Sequence, residues 1–281
     1  MTGRLLVAGL AVLDHVHRVA ALPEGGAKHR SVGFDTVGGG CAASAAVGAA
    51  RLGGAVTLLT RLGADPAGDA LAALLEGQGA RVLAARGGRQ SVSAVMIDAG
   101  GERMIVNFPG ADLPDDVPDL PPFDAALTDC RWEAAAEAAL AAAAAAGVPG
   151  VIDGERFVPE RLARLASHVV FSAPGLRDFA GTDDLDAALA ETDARLPGRV
   201  AYTDGPRGVV WAGGPALAPP PVEAVDTLGA GDLWHGAFAL GLARGEGLDA
   251  ASRFANLAAA RKCARAGGWE TYPTAAEMEA P

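Results

Sequence analysis

Residues 225–234 read Val-Asp-Thr-Leu-Gly-Ala-Gly-Asp-Leu-Trp, and this stretch determines how the rest of the chain is interpreted. Its two glycines, Gly229 and Gly231, allow a sharp backbone turn and leave neighbouring N–H groups uncovered. The apolar run at 236–242 predicts a helix that begins near Ala230. Because a helix N-terminus carries unpaired N–H groups and the positive end of the helix dipole, the turn is a predicted anion site, and phosphate is the favoured anion.

Asp232 belongs to the same turn, where a carboxylate would repel a bound phosphate. It therefore needs another role, and removing a proton from a hydroxyl that attacks phosphorus is such a role. A lone Gly-x-Gly-Asp is also typical of a glycine-rich turn with a capping aspartate before a buried helix. We predict that Asp232 is a general base and that the backbone of Gly229, Ala230 and Gly231 forms an anion hole.

Composition limits the class of protein. The chain has 281 residues, half of them hydrophobic, which suits one large α/β domain or two small ones. The net charge of −11 argues against nucleic acid or an anionic membrane as the main partner. The three cysteines are widely spaced and form no zinc-ligand pattern. Since the apolar run at 1–10 is too short for a signal peptide and the alanine-rich run at 134–146 too short to span a bilayer, we expect a cytoplasmic protein.

Strand and helix patterns alternate along most of the chain, which predicts a mostly parallel sheet covered by helices. The predicted strands are 5–10, 55–59, 125–127, 151–153, 169–171 and 200–203. The predicted helices are 42–52, 66–78, 133–146, 159–166, 186–195, 230–244 and 248–264. Asp65 and Pro66 have the residue types of a helix N-cap followed by proline at the first helical position.

Two β-like segments interrupt this alternation, at about 13–37 and 91–109. The second contains a predicted hairpin, with strands at 94–98 and 102–107 around a glycine-rich turn. A small sheet built from both segments would lie beside the main sheet.

The sequence motifs of several other phosphate-binding proteins are absent from this chain. Lys28 and Lys262 are the only lysines, and neither follows a Gly-x-x-x-x-Gly, so the chain has no Walker A loop. A strict Gly-x-Gly-x-x-Gly after a strand is absent, which disfavours a dinucleotide-binding fold. The signatures of protein kinases are absent as well.

Two patterns together resemble the ribokinase-like (PfkB-type) sugar kinases. The sequence at 226–232 resembles the C-terminal signature of that family, Asp-Thr-x-Gly-Ala-Gly-Asp. The glycines at 38–40, followed by the small-residue helix at 42–46, resemble its N-terminal di-glycine. The two lie in the family's order, roughly 190 residues apart, so the resemblance spans the chain.

The resemblance implies an α/β ribokinase-like three-layer fold with a mostly parallel central sheet and a small β lid. It implies one kinase domain over residues 1–281, with lid segments at about 13–37 and 91–109 within it. In this family the lid covers the sugar and is often used for pairing, so a homodimer through the β lid is expected.

The resemblance also assigns site residues. Asp232 would be the catalytic base of an ATP-dependent sugar kinase, and Asp14 would accept hydrogen bonds from sugar hydroxyls. Further expected contacts with the sugar are Gly39 and Gly40, and those with ATP are Thr203, Gly205, Gly208 and Asn256. Without the family resemblance, Asp14 is also typical of a loop carboxylate, the glycines of tight turns, and Asn256 of a solvated polar residue on a helix. ATP and Mg²⁺ are the expected cofactors, and a monovalent cation is left open.

One segment departs from the family pattern. The family usually carries Asn-x-x-Glu after the strand predicted at 169–171, where it helps to arrange Mg²⁺ and its water. This chain has Ser172-Ala173-Pro174-Gly175, which lacks both polar ends. Mg²⁺ should still arrive on ATP, because its ligands are mostly phosphate oxygens and water.

Three polar residues suggest an anionic sugar: Lys28, Asn107 and Arg131. Each alone is more typical of a surface charge or a loop residue, but together they could hold an anionic end group. Neighbouring sequence, such as Cys130-Arg131-Trp132, resembles the sulfofructose kinase branch. In that branch the lysine, the asparagine and the arginine hold the sulfonate. We therefore expect phosphorylation of 6-deoxy-6-sulfofructose to its 1-phosphate. The alternatives are a kinase for 2-keto-3-deoxygluconate, fructose, ribose or a phosphorylated ketose, and a non-catalytic sugar- or nucleotide-binding regulator.

Overall fold

The computed structural model describes residues 3–279, and the few terminal residues of the expected 1–281 domain lie outside this range. Within it the strands are β1 (Arg4–Gly9), β2 (Val12–Arg18), β3 (Gly33–Gly39), β4 (Ala55–Leu62), β5 (Arg81–Arg86), β6 (Val92–Ile97), β7 (Arg103–Phe108), β8 (Ala125–Thr128), β9 (Gly150–Gly154), β10 (His168–Ser172), β11 (Arg199–Thr203), β12 (Val209–Trp211) and β13 (Ala216–Leu217). The helices are α1 (Cys41–Arg51), α2 (Pro66–Gly77), α3 (Glu133–Ala146), α4 (Glu160–Ala163), α5 (Ala173–Ala180), α6 (Leu185–Arg195), α7 (Ala230–Ala243), α8 (Leu248–Cys263) and α9 (Ala275–Glu279).

The large sheet has the strand order β13-β12-β11-β10-β9-β8-β1-β4-β5. All neighbours from β11 to β5 are parallel, whereas β12 and β13 form an antiparallel edge. Parallel strands that are buried on both faces need apolar residues throughout, as β8 shows with four buried residues in succession. The carboxyl ends of seven parallel strands therefore meet at one edge, where ligands of open α/β sheets bind.

Helices cover both faces of the large sheet and give the three layers. Successive residues of β1 point to opposite faces, so Leu5 and Val7 pack in one apolar cluster and Leu6 and Ala8 in another. The first cluster contains residues of α1, α2, α7 and α8. The opposite face is covered by α3, α4, α5 and α6.

A second sheet has the order β3-β2-β6-β7. It joins the two segments that interrupt the α/β pattern, because β2 pairs in parallel with β6 while β3 and β7 flank them in antiparallel fashion. Most of β7 is exposed. The expected small sheet is therefore confirmed. Its four strands lie within residues 12–39 and 92–108.

Most predicted elements are present within one to three residues of their predicted ends, and the Asp65 cap accepts a hydrogen bond from the Gly68 N–H at 2.9 Å. Several features differ from the sequence-based prediction, among them the edge strands β12 and β13 and the helix α9, which were not predicted. The helix predicted at 159–166 is only one turn, Glu160–Ala163. Strand β5 was not predicted, and neither was helix α5, which begins at the sequence Ser-Ala-Pro-Gly that is typical of a loop.

Within residues 3–279, none of the helices combines the length and the apolarity that a membrane crossing requires.

Helices α1 and α7 approach so closely that a side chain would not fit between them. A Cβ atom at Gly236 would lie 2.2 Å from the Ala45 carbonyl oxygen, which is backbone and cannot move aside cheaply. We expect Gly236→Ala to lower the free energy of unfolding by about 1–3 kcal/mol, measured by urea denaturation, because it overpacks the helix contact. Gly77→Ala is the matched control, since a Cβ there meets no atom within 4 Å. Equal stability of the two variants would contradict the close contact.

Candidate active site

The turn before α7 presents the N-terminus of the helix at the carboxyl edge of the sheet. Gly229 is the N-cap residue and has φ +71°, a left-handed conformation that favours glycine. A Cβ atom there would lie 2.3 Å from the Tyr272 hydroxyl, which donates a hydrogen bond to the Gly229 carbonyl at 3.2 Å. Gly231 is exposed, and a Cβ there would meet no atom within 4 Å. The backbone at 229–231 is thus bare on its outer side, as an anion site requires.

Asp232 lies in the first turn of α7 and keeps some contact with solvent. Protein atoms nevertheless surround its carboxylate, and this loss of hydration, followed by the charge of Asp153, raises the pKa of Asp232 to about 8. The nearby His235 acts in the opposite direction. The ionised carboxylate is a stronger base than that of an exposed aspartate, because its pKa is raised.

Asp153, the fourth residue of β9, is a further acid beside Asp232. It is buried, and loss of hydration together with the charges of Asp129 and Glu155 raises its pKa well above the usual range. His235 Nδ1 lies 3.5 Å from Asp153 Oδ2 and 2.9 Å from the Gly231 carbonyl. Burial lowers the pKa of His235, whose ring links the α7 turn to the carboxylate of Asp153 in β9.

Asp129 follows β8 and is also buried. Its carboxylate accepts hydrogen bonds from the backbone N–H groups of Leu10 at 2.9 Å, Ala42 at 3.1 Å and Arg131 at 2.9 Å. These bonds join the end of β1, the start of α1 and the loop after β8. A Cβ at Gly9 would lie 2.1 Å from Asp129 Oδ1, so this arrangement requires glycine at the end of β1.

Arg131 forms an ion pair with Glu155, with 2.8 Å between Nη2 and Oε2. The same Glu155 oxygen lies 3.6 Å from the sulfur of Cys41, the first residue of α1. The pKa of Cys41 is raised by burial and then by the charges of Asp232 and the neighbouring acids, so the start of α1 lies close to this acidic group. Arg131 is partly exposed, so its guanidinium is open to an incoming anion.

The small sheet brings Asp14 and Asn107 onto one row. In the strand register Asp14 pairs with Ser93, and Ser93 pairs with Asn107. The Asn107 side-chain amide donates to Ser93 Oγ at 3.1 Å. Burial raises the pKa of Asp14, and the hydrogen bond with the Ser93 hydroxyl opposes this shift. A Cβ at Gly39 would lie 2.2 Å from Asp14 Oδ2, so the glycine gives the carboxylate its space.

Lys28 is exposed in the connection between β2 and β3, Asn107 lies in β7, and Arg131 follows β8. The joint contact of these three residues with an anionic end group stays a prediction.

The predicted nucleotide residues surround the hairpin from β11 to β12. Thr203 ends β11, and Gly205 and Gly208 have positive φ values of 47° and 75° in the following turn. Asn256 is buried in α8 and bridges this region to α7, because it donates to the Leu217 carbonyl at 2.7 Å and accepts from Trp234 Nε1 at 2.7 Å. Since the protein already uses both ends of the amide, its predicted position near adenine stays a prediction.

The backbone at 172–175 does not accommodate the glutamate of the family pattern Asn-x-x-Glu. Ser172 caps α5 by accepting a hydrogen bond from the Gly175 N–H at 3.1 Å. A Cβ at Gly175 would lie 2.2 Å from the carbonyl oxygens of Gly154 and Glu155, so no glutamate fits this backbone. Among the described residues, no cluster of three or more histidine, cysteine or acidic side chains could hold a metal ion. The residues present do not fit a Mg²⁺ ion held by the protein.

Sequence reasoning missed four polar residues of this region: Ser93, Asp129, Asp153 and Glu155. A signal for two of them was available, because Asp129 directly follows a predicted strand and Asp153 ends one. The carboxyl ends of parallel strands converge, so these acids were candidates for a shared site. Ser93 and Glu155 carried no such signal, since their roles come from the pairing of distant segments.

Comparisons with known proteins agree with this geometry. Residues 3–275 match the family model described as pfkB family carbohydrate kinase. The ribokinase of Bacillus subtilis (strain 168) is 29% identical over 290 residues, with 98% of each chain covered. The fructokinase of Klebsiella pneumoniae is 33% identical over 273 residues, which cover 86% of this chain and 85% of the fructokinase.

A crystal structure from Agrobacterium tumefaciens, of a protein provisionally assigned as a ribokinase, has 36% identity and a TM-score of 0.90. The match covers 99% of this chain and 97% of the other, and it confirms the expected three-layer α/β fold. The chain belongs to the pfkB family of carbohydrate kinases and is a phosphotransferase whose acceptor is an alcohol group of a sugar.

Proposed function

We propose that this sugar kinase transfers the γ-phosphoryl group of ATP, with Asp232 as the general base. The observation that carries the proposal is the position of Asp232 in the first turn of α7, next to the exposed backbone of Gly231 and close to the N-terminus of the helix. An N-terminus that attracts anions and a strong base stand side by side there. This pair suits an alcohol that loses its proton while it attacks phosphorus.

The proposed step balances as follows. A sugar hydroxyl gives its proton to a carboxylate oxygen of Asp232 while its oxygen forms a bond to the γ-phosphorus. The bond between that phosphorus and the bridging β–γ oxygen breaks, and ADP leaves with the electron pair. The backbone N–H groups of Gly229, Ala230 and Gly231 stabilise the charge on the transferring group.

The same proposal places the two substrates. Asp14 accepts hydrogen bonds from sugar hydroxyls, and Gly39 and Gly40 let the sugar approach the junction of β3 and α1. ATP contacts Thr203, Gly205 and Gly208, with Asn256 near the adenine. Mg²⁺ arrives with ATP and is held by phosphate oxygens and water, and we assign no step to a protein-bound metal.

For the sugar itself, we propose 6-deoxy-6-sulfofructose, converted to its 1-phosphate. One feature supports an anionic substrate: the guanidinium of Arg131 is partly exposed beside Glu155. The sulfonate would compete with Glu155 for Arg131, as an oxyanion that matches the guanidinium fork. Fructose and ribose are the alternative substrates, because the fructokinase and ribokinase relatives are named for them.

We expect Asp232→Asn to lower kcat by at least about 100-fold, because the amide cannot accept the proton in the same way. Coupled ADP release measures turnover, and calorimetric titration should show that ATP and sugar bind with nearly unchanged affinity. Asp249→Asn is the matched control, since it makes the same change in the first turn of α8, at an exposed position. Wild-type turnover in Asp232→Asn would refute the base assignment.

The substrate is tested with a panel of 6-deoxy-6-sulfofructose, fructose 6-phosphate, fructose, ribose and 2-keto-3-deoxygluconate. We expect the sulfosugar to have the highest kcat/KM. Arg131→Ala should raise its KM by roughly 10- to 100-fold, because a charge-assisted contact is lost, and should leave neutral sugars nearly unaffected.

Arg161→Ala is the control for Arg131→Ala, because it removes an exposed arginine that pairs with Glu133 and Glu137. A higher kcat/KM for a neutral sugar would keep the kinase and discard the anionic substrate.

We also propose that the small sheet mediates a homodimer. One face of the small sheet, opposite to the face of Asp14 and Asn107, carries the exposed apolar side chains Phe34 of β3 and Val106 of β7, at 56% and 62% exposure. Exposed apolar side chains on one face of a sheet are typical of an interface.

We expect the double variant Phe34→Asp/Val106→Asp to be a monomer in light scattering after gel filtration, while the wild type is a dimer, because charges would have to be buried without partners. The control is Phe157→Asp, since Phe157 is exposed but lies outside the small sheet. A monomeric wild type, or a dimer that survives the double substitution, would contradict the proposed interface.

A further inference from the structure

Lys262 is completely buried, at 0% exposure, although it carries a charge. It lies in the last turn of α8, directly beneath the segment that leads into α7. An ammonium group is stable in the interior only when charged or polar partners replace its water. The sequence has only one other lysine, Lys28, and that residue is exposed.

Three oxygen atoms surround the Lys262 ammonium. They are the Asp226 carbonyl at 3.1 Å, Asp226 Oδ2 at 3.2 Å and the Arg265 carbonyl at 3.3 Å. An ammonium has three N–H donors, so each donor has an acceptor. Two of the three oxygens belong to Asp226, which lies three residues before Gly229.

Asp226 in turn fixes the course of the backbone. Its Oδ1 accepts a hydrogen bond from the Leu228 N–H at 2.9 Å, and its Oδ2 accepts one from the Gly267 N–H at 3.3 Å. Burial works against ionisation of Asp226, but these N–H groups and the charge of Lys262 outweigh it and hold its pKa below the usual value. The Val225 and Asp226 N–H groups also donate to the Cys263 carbonyl, which ties the segment to the end of α8.

We propose that Lys262 is a positioning residue, a cation supplied by the protein itself that holds the turn of the anion hole in place, so that phosphoryl transfer needs no added monovalent metal ion. The ammonium occupies the space among carbonyl and carboxylate oxygens that a small cation would otherwise have to fill. This inference rests on the proposal that residues 229–231 bind the transferring phosphoryl group.

A second cation near Asp226 does not replace Lys262. Arg103 from β7 lies 3.5 Å from Asp226 Oδ1, and its side chain is 35% exposed. It contacts only the outer oxygen of the carboxylate, whereas Lys262 also binds the backbone carbonyl. A pair between exposed groups at this distance contributes little, so the buried ammonium is the group that holds the backbone.

The first test uses the wild-type protein and whichever sugar of the panel it phosphorylates. Turnover is measured in potassium, sodium and tetramethylammonium chloride at constant ionic strength, so that general screening is the same in each. We expect kcat to differ by no more than about twofold among the three salts, because no ion site has to be filled. A several-fold requirement for potassium would overturn the proposal without any variant having to fold.

The second test removes the ammonium. Lys262→Met should lower kcat by about tenfold or more, because charge-assisted hydrogen bonds to the turn are lost, while KM for the sugar changes little. Lys262→Ala should regain part of its kcat with n-propylammonium or potassium, which a purely structural role of the side chain would not produce. Arg253→Met is the matched control, since it removes an exposed positive charge from the same helix.

Wild-type kcat in Lys262→Met, or failure of both cations to restore Lys262→Ala at saturating concentration, would contradict the proposed role. Circular dichroism and ATP binding establish that the variants are folded. Failure of the base assignment would appear separately, as activity in Asp232→Asn. Failure of the sulfosugar assignment would appear in the substrate panel, and the salt series would still be measured with the preferred sugar.

Discussion

The backbone turn at 226–231 is the constraint on which the site depends. Gly229 adopts a positive φ in contact with the Tyr272 hydroxyl, and the preceding Asp226 is held by the N–H groups of Leu228 and Gly267 and by Lys262. Apart from the Leu228 N–H, these contacts come from one segment at 262–272, so the end of α8 and the residues after it direct the N-terminus of α7. The close packing of Gly236 against α1 then fixes the direction of the helix itself. A preorganised turn of this kind loses little entropy when an anion binds.

The electrostatic balance of the site is unusual for an anion-binding region. Asp129, Asp153 and Asp232 lie near one another, and loss of hydration raises the pKa of each. Such crowding opposes the ionisation of these acids. The helix N-terminus and Arg131 supply positive potential on the same side. The net charge of −11 therefore says little about this local environment.

The small sheet links sugar recognition to the large sheet. Its row from Asp14 through Ser93 to Asn107 crosses three strands, and Gly39 and Gly40 carry the chain from this sheet directly into α1. Cys41 at the start of α1 faces the acids around Asp232. A movement of the small sheet would therefore be transmitted through Gly39 and Gly40 to α1, which begins near Asp232. The contact between Arg103 and Asp226 is a second link between the small sheet and the turn.

The sequence by itself determined the parts of the protein that depend on neighbours along the chain. The alternating patterns, the Asp65 cap and the glycine-rich turn with Asp232 were predictable, because strand periodicity, capping and glycine conformations are local properties. Helix α5 was not, since Ser-Ala-Pro-Gly is equally compatible with a loop until the Ser172 hydroxyl finds the Gly175 N–H. Only the tertiary structure placed Asp153 and Glu155 near Asp232 and buried Lys262 under Asp226. These relations depend on strand order and helix packing, which bring together residues that are distant in sequence and have no pattern in common.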